Sequence, residues 1–99
     1  MLSITNPITD SGTIKGGLDL KEGTILEKNN DGYLQDWKEG EPYAVLNMNI
    51  DTKSGAQRAP LVVGGVVEDP AELILSNGKT MDILFDKFRK IGIYIKGVN

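Results

Sequence analysis

The chain has 99 residues, with 14 acidic and 11 basic side chains, a net charge of −3, and neither cysteine nor histidine. That composition excludes disulfides and thiolate chemistry, and it removes the commonest general base and metal ligand. Acidic and basic residues interleave, so no basic stripe exists to neutralise phosphates, and nucleic acid is not an expected partner.

A chain of this length reads as one domain, or one domain with a tail. It buries about two thirds of its unfolded surface, so support from a partner subunit is expected. No segment approaches the length of a membrane span. The first residues lack the charged start and apolar run of a secretion signal. The absence of cysteine suits a reducing compartment.

Residues 1–20 are rich in Ser, Thr, Asn, Asp, Pro and Gly and contain no aromatic residue. Their apolar residues, Leu2, Ile4, Ile8 and Ile14, are too scattered to close a core, so this segment reads as a mobile arm. Leu2 and Ile4 alternate with Ser3 and Thr5, which is strand periodicity. Such an arm becomes a strand when a sheet edge is offered to it. An inert frayed terminus is the alternative.

The first strand is expected over residues 24–27. Asn29-Asn30-Asp31-Gly32 then predicts a hairpin into residues 33–37. Lys38-Glu39-Gly40-Glu41-Pro42 is a second polar turn. Two apolar runs follow, residues 43–50 and the valine-rich 60–67, joined by Asp51-Thr52-Lys53-Ser54-Gly55. β-Branched side chains favour a pleated surface, so the runs predict a central two-stranded ribbon. Gly64-Gly65 inside the second run predicts a corner in that ribbon.

Asp69-Pro70-Ala71-Glu72 has the spacing of a helix start and predicts a short first helix. A second helix is expected over residues 81–91, with Ile83, Leu84, Phe88 and Ile91 on its apolar face and Phe85 at the border. Gly92 ends it, and Ile93-Tyr94-Ile95 is a last strand before the tail Gly97-Val98-Asn99. The residues therefore describe a mainly β fold with two short helices.

Three stretches approach chemical motifs and fall short. Asn77-Gly78-Lys79-Thr80 matches the end of a phosphate loop, but Leu73 stands where the opening glycine belongs. Glu27, Asn29 and Asp31 are spaced as cation ligands, but Lys38 occupies the closing acidic position. Glu68 and Asp69 are sequence neighbours and do not converge on one bond. No nucleophile has a recognisable base partner, so no catalytic residue, metal site or cofactor is expected. Trp37 and Tyr43 read as core or interface packing, or as an aromatic binding platform.

Four segments carry a family resemblance: 20–26 (LKEGTIL), 43–46 (YAVL), 61–67 (LVVGGVV) and 84–95 (LFDKFRKIGIYI). Together, and in this order, they resemble the head decoration proteins of tailed bacteriophages, the lambda-type capsid-stabilising family. The resemblance implies a β-clip-like bent-ribbon core and a homotrimer on the outer capsid surface of the virion, bound to the major capsid protein. It further implies synthesis in the host cytoplasm and an arm that orders on the shell. The expected division is a flexible capsid-binding arm over residues 1–19 and a β-rich decoration core over residues 20–99. Capsid contact is expected at Leu2, Ile4, Thr5, Pro7 and Ile8, by addition of the arm as a strand to a shell subunit, with Leu2 and Ile4 facing the shell. The competing readings are an SH3- or OB-like module holding a peptide or glycan on Trp37 and Tyr43, and an enzyme of β-clip type.

Overall fold

The computed structural model describes residues 2–76 and 78–97. Met1 of the expected arm, Asn77 of the turn before the second helix, and the tail residues Val98 and Asn99 lie outside the described residues. In chain order the strands are β1 (Ile4–Ile14), β2 (Asp19–Leu20), β3 (Ile25–Lys28), β4 (Leu34–Asp36), β5 (Pro42–Leu46), β6 (Ile50–Asp51) and β7 (Gln57–Val67). Helix α1 (Met81–Ile91) and β8 (Ile93–Ile95) complete the fold. Among the described residues it is mainly β with one α-helix. That helix is too short and too polar to cross a membrane.

Five strands close into a ring in which β1 pairs β4, β4 pairs β3, β3 pairs β5, β5 pairs β7, and β7 pairs β1 again. The predicted ribbon is present, with Val45 opposite Val62 and Leu46 opposite Leu61 in β5 and β7. The hairpin forms where Asp-Gly placed it: the Asn29 carboxamide oxygen accepts from the Asp31 and Tyr33 N–H groups. The link between the two ribbon strands is tied down by Thr52, which is wholly buried. Its hydroxyl donates to the Lys15 carbonyl at 2.6 Å and accepts from the Leu18 N–H at 3.0 Å.

Two apolar clusters fill the molecule. Ile14, Leu26, Leu34, Ala44, Leu46, Ala59 and Leu61 pack inside the ring. Ile25, Trp37, Val45, Val62, Val67 and Ile93 pack with Leu84 and Phe88 of α1 on the other side. The buried face of α1 differs from the expected one. Met81, Leu84, Phe85 and Phe88 face the core, while Ile83 and Ile91 are exposed. Phe85 sits one position after Leu84 and four after Met81, so it joins the same stripe and displaces Ile83.

The first predicted helix is corrected to a single 3-10 turn, Pro70–Glu72. Asp69 does cap it, accepting from the Ala71 N–H at 3.0 Å. The helix cannot continue because the next residues are recruited elsewhere. Leu73 enters the core, and Ile74 exchanges backbone hydrogen bonds with Gly23 and Ile25.

The segment expected as a mobile arm is β1, paired with β7 from Ile4 opposite Val67 to Ile14 opposite Gln57. The chain itself offers the edge that makes this segment a strand. Leu2 and Ile4, expected to face a shell subunit, pack instead against the core cluster beside α1. Pro7 does not end the pairing. An extra residue on β1 between Thr5 and Ile8 and one on β7 at Val63 offset each other, and the register is restored from Thr9 opposite Val62. Asn6 takes a positive φ of 51° in the first of these bulges, where Pro7 needs no donor.

Gly64 and Gly65 lie where β7 exchanges β5 for β8 as its neighbour: Val62 pairs β5, and Gly65 pairs Ile93. Gly65 has a φ of 116°, and a Cβ there would stand 2.9 Å from the Asn6 carbonyl oxygen and 3.0 Å from that of Thr5. The nearest atoms to a Cβ on Gly64 belong to the Ile8 side chain, at 2.9–3.2 Å. Gly65→Val is therefore expected to cost about 2 kcal/mol or more, because both the dihedral and the backbone contact are unfavourable. Gly64→Val is expected to cost less than Gly65→Val, because the close contact is with a side chain; the Ile8 Cδ1 can turn away, but its Cβ at 3.1 Å must shift slightly. Urea midpoints of the two variants check the difference, and equal midpoints would refute it.

Candidate functional site

The ring is incomplete on one side. β1 meets β4 only at Ile14 opposite Leu34, where the Lys15 N–H donates to the Leu34 carbonyl at 2.8 Å. Toward its N-terminus β1 diverges from β4 and leaves a cleft. One wall is β1 from Asp10 to Thr13; the other is the end of β3, the following turn and the start of β5.

The cleft holds two cavities. The larger, about 510 Å³, is lined by Asp10, Lys28, Glu41, Pro42, Tyr43, Val63 and Ile91. The smaller, about 180 Å³, has a polar lining that includes Ser11, Thr13, Lys28 and Arg58. Tyr43 and Lys28 border both, with the Lys28 ammonium 4.5 Å above the Tyr43 ring. The bulge at Val63 and the end of α1 at Ile91 supply apolar floor to the larger cavity.

The outer edge of β1 borders this cleft. Ser11 stands opposite Pro60, which has no N–H, and the Ser11 N–H turns away from β7 to the Asp10 carboxylate at 2.8 Å. In an antiparallel pair the outward-facing residues alternate, so Thr9 and Thr13 share this orientation with Ser11. The edge is blunted by Pro7, the paired bulges and the Asp10 charge, devices that discourage indiscriminate strand pairing.

The expected contact residues lie just before and along the first half of β1, in different roles. Leu2 and Ile4 are half-buried. Thr5 donates its hydroxyl to Glu68, whose other carboxylate oxygen accepts from Lys96 at 3.1 Å. The Thr5 hydrogen bond and the Lys96 ammonium hold the Glu68 carboxyl below its ordinary range. Pro7 and Ile8 are exposed, Ile8 to 63%.

Trp37 and Tyr43 do not form a joint platform. Trp37 is buried, its indole N–H donating to the Gly40 carbonyl at 2.8 Å, and only Tyr43 reaches the cleft. The spaced carboxylate and amide groups of the failed cation loop also separate. Glu27 turns inward and accepts from the Lys38 N–H at 2.6 Å, the Gly40 N–H at 2.9 Å and the Gln35 amide at 2.9 Å. Burial acts to raise the Glu27 pKa, but these donors together outweigh it and hold the carboxyl below its ordinary range.

Lys28, Arg58 and Val63 carry no site signal in the sequence. Lys28 and Arg58 are isolated charges in their own segments, and nothing local joins them. The fold and the cleft together define a small, nearly closed β-ring with a flanking helix and an open, amphipathic slot. The chain matches no protein-family model and no curated protein.

Proposed function

We propose that the protein is a capsid decoration protein of a tailed bacteriophage, with a structural and non-catalytic role. It binds the outer surface of the assembled head as a homotrimer and cements neighbouring copies of the major capsid protein. The observation that carries this reading is where its four resembling segments lie. Residues 20–26 lead into β3, and the others fall on β5, on β7, and on α1 with β8; β5 pairs both β3 and β7, β7 pairs β8, and each segment adds side chains to the apolar interior. The bent, glycine-hinged β7 at its centre supports a β-clip-like description of that core.

Binding to the assembled shell, and not to dissociated subunits, stabilises the shell by mass action. Three linked copies raise avidity without strengthening any one contact. Because Leu2 and Ile4 serve the protein's own core, the shell contact falls on the exposed part of β1, at Pro7 and Ile8. Cosedimentation with expanded and unexpanded phage shells tests the reading; failure to pellet with either form would overturn it.

Ile8→Asp isolates the contact. An exposed side chain contributes little to folding, so stability should change by no more than about 0.5 kcal/mol. Shell affinity should fall by about tenfold or more, as for loss of an apolar anchor. Native affinity in this variant would move the contact elsewhere. Deleting residues 1–7 is a poorer probe, because it also removes the packing of Leu2 and Ile4.

A second reading is favoured by the nearly closed five-stranded ring and its slot: a small-barrel module that binds a peptide. Such a module needs no shell, and the shell experiment separates the two.

A further inference from the structure

We propose that the cleft between β1 and the start of β5 is a docking slot for an extended acidic peptide segment. The segment would carry an aliphatic side chain and a carboxylate two residues apart. This inference does not depend on the shell reading. It rests on three features that converge in one place.

The first feature is the backbone. Thr9 and Ser11 present N–H and C=O groups, and Thr13 its N–H, away from β7; the Thr13 C=O lies at the Ile14–Leu34 bridge, where β4 pairs with β1. An extended segment lying in the slot gains main-chain hydrogen bonds along this edge. It must displace the Asp10 carboxylate from the Ser11 N–H, so the edge admits a strand only where side-chain contacts add to the pairing.

The second feature is shape. Side chains two residues apart on a strand point to the same face. The slot offers two neighbouring cavities on one side of the β1 edge, separated by Tyr43 and Lys28. An aliphatic side chain fits the larger one, against Pro42, Tyr43, Val63 and Ile91.

The third feature is charge. Lys28 and Arg58 both line the smaller cavity. Neither forms an ion pair among the described residues, although the chain as a whole is acidic. Lys28 rests over the Tyr43 ring, and an Arg58 guanidinium nitrogen donates to the Ser11 hydroxyl. Two cations with hydroxyl groups beside them are complementary to one carboxylate. Asp10 and Glu41 border the larger cavity, and Glu41 is already paired with Lys87 at 2.7 Å. The carboxylate is therefore placed at the Lys28 and Arg58 end.

The test is an NMR titration of the intact protein with a blocked pentapeptide. Threonine occupies its first, third and fifth positions, leucine the second and glutamate the fourth. The expected result is saturable shifts at the Thr9, Ser11 and Thr13 amides and at Tyr43. Replacing the peptide glutamate by lysine should weaken binding by about fivefold or more, as should Lys28→Gln with Arg58→Gln, the scale of one ion pair. Both side chains are at the surface, and a thermal melt checks that the double variant stays folded. Equal binding of the glutamate and lysine peptides would overturn the proposal. Absence of shifts along β1 would do the same. Inorganic phosphate producing the same shifts, with no added effect of peptide, would reduce the site to an anion site and refute the peptide slot.

Discussion

Gly23→Ala is expected to be among the most damaging single substitutions in the chain. A Cβ at this position would lie 2.1 Å from the Glu72 carbonyl oxygen, and the residue has a φ of 95°. The clash is with backbone, so no side-chain rotation relieves it. The backbone cannot retreat either. The Gly23 N–H donates to the Leu46 carbonyl at 2.8 Å, and its carbonyl accepts from the Ile74 N–H at 2.9 Å. Moving Gly23 therefore breaks the joint between β3, β5 and the segment after the 3-10 turn. Left-handed strain and a forced backbone shift together are expected to cost about 4 kcal/mol. That is a large share of the roughly 5–10 kcal/mol available to a domain of this size. Urea denaturation followed by Trp37 fluorescence checks it. A native midpoint in Gly23→Ala would show that the approach of residue 72 is not essential.

The second large effect is expected at Glu27. Its side chain is buried, and one oxygen accepts from both the Lys38 and Gly40 N–H groups. These bonds hold the turn that carries Trp37 into the core. Glu27→Ala leaves those donors without their acceptor, at an expected cost of about 3 kcal/mol. Glu27→Gln keeps an oxygen for the two backbone donors but sets an amide against the Gln35 amide, so it should cost about 1 kcal/mol.

The pH dependence separates charge from shape. The folded-state pKa of Glu27 is lowered, so the folded protein binds this proton less readily than the unfolded chain. Its stabilising contribution is then fully present above the unfolded glutamate value, about 4.3, and is lost as pH falls through the lower folded value. Glu27→Gln should remove this part of the acid sensitivity. Its deficit against the native protein should shrink as the pH is lowered from neutral through the carboxylate range. A deficit that stays constant over that range would refute the charge argument.

Much of the fold was legible from local patterns. The ribbon of β5 and β7 follows from runs of β-branched residues, and its pairing needs only that both be apolar on one face. The hairpin between β3 and β4 follows from Asn29 and Gly32, whose turn chemistry acts within a few residues. Gly92 ends α1 for the same reason. Each signal is carried by neighbours in sequence, so composition and spacing suffice to read it.

The rest was decided by partners distant in sequence. Residues 4–14 have too few apolar side chains to order themselves. They become a strand because β7 presents an edge to them, and because Leu2 and Ile4 find the core beside α1. Residues 70–76 carry a sound helix start, yet backbone bonds between Ile74 and residues 23 and 25 outcompete further turns. Trp37 is drawn inside by a turn that Glu27 anchors from eleven residues away. The cleft is the clearest case. Lys28 comes from β3, Tyr43 from β5, and Arg58 and Val63 from opposite ends of β7, and only closure of the ring, with β1 diverging from β4, sets them around one opening. The sequence by itself determined which segments can be strands and where the chain turns, because those choices rest on local sterics and hydrogen bonds. The tertiary structure alone decided which edges are covered and which stay open, because that depends on pairing between segments dozens of residues apart.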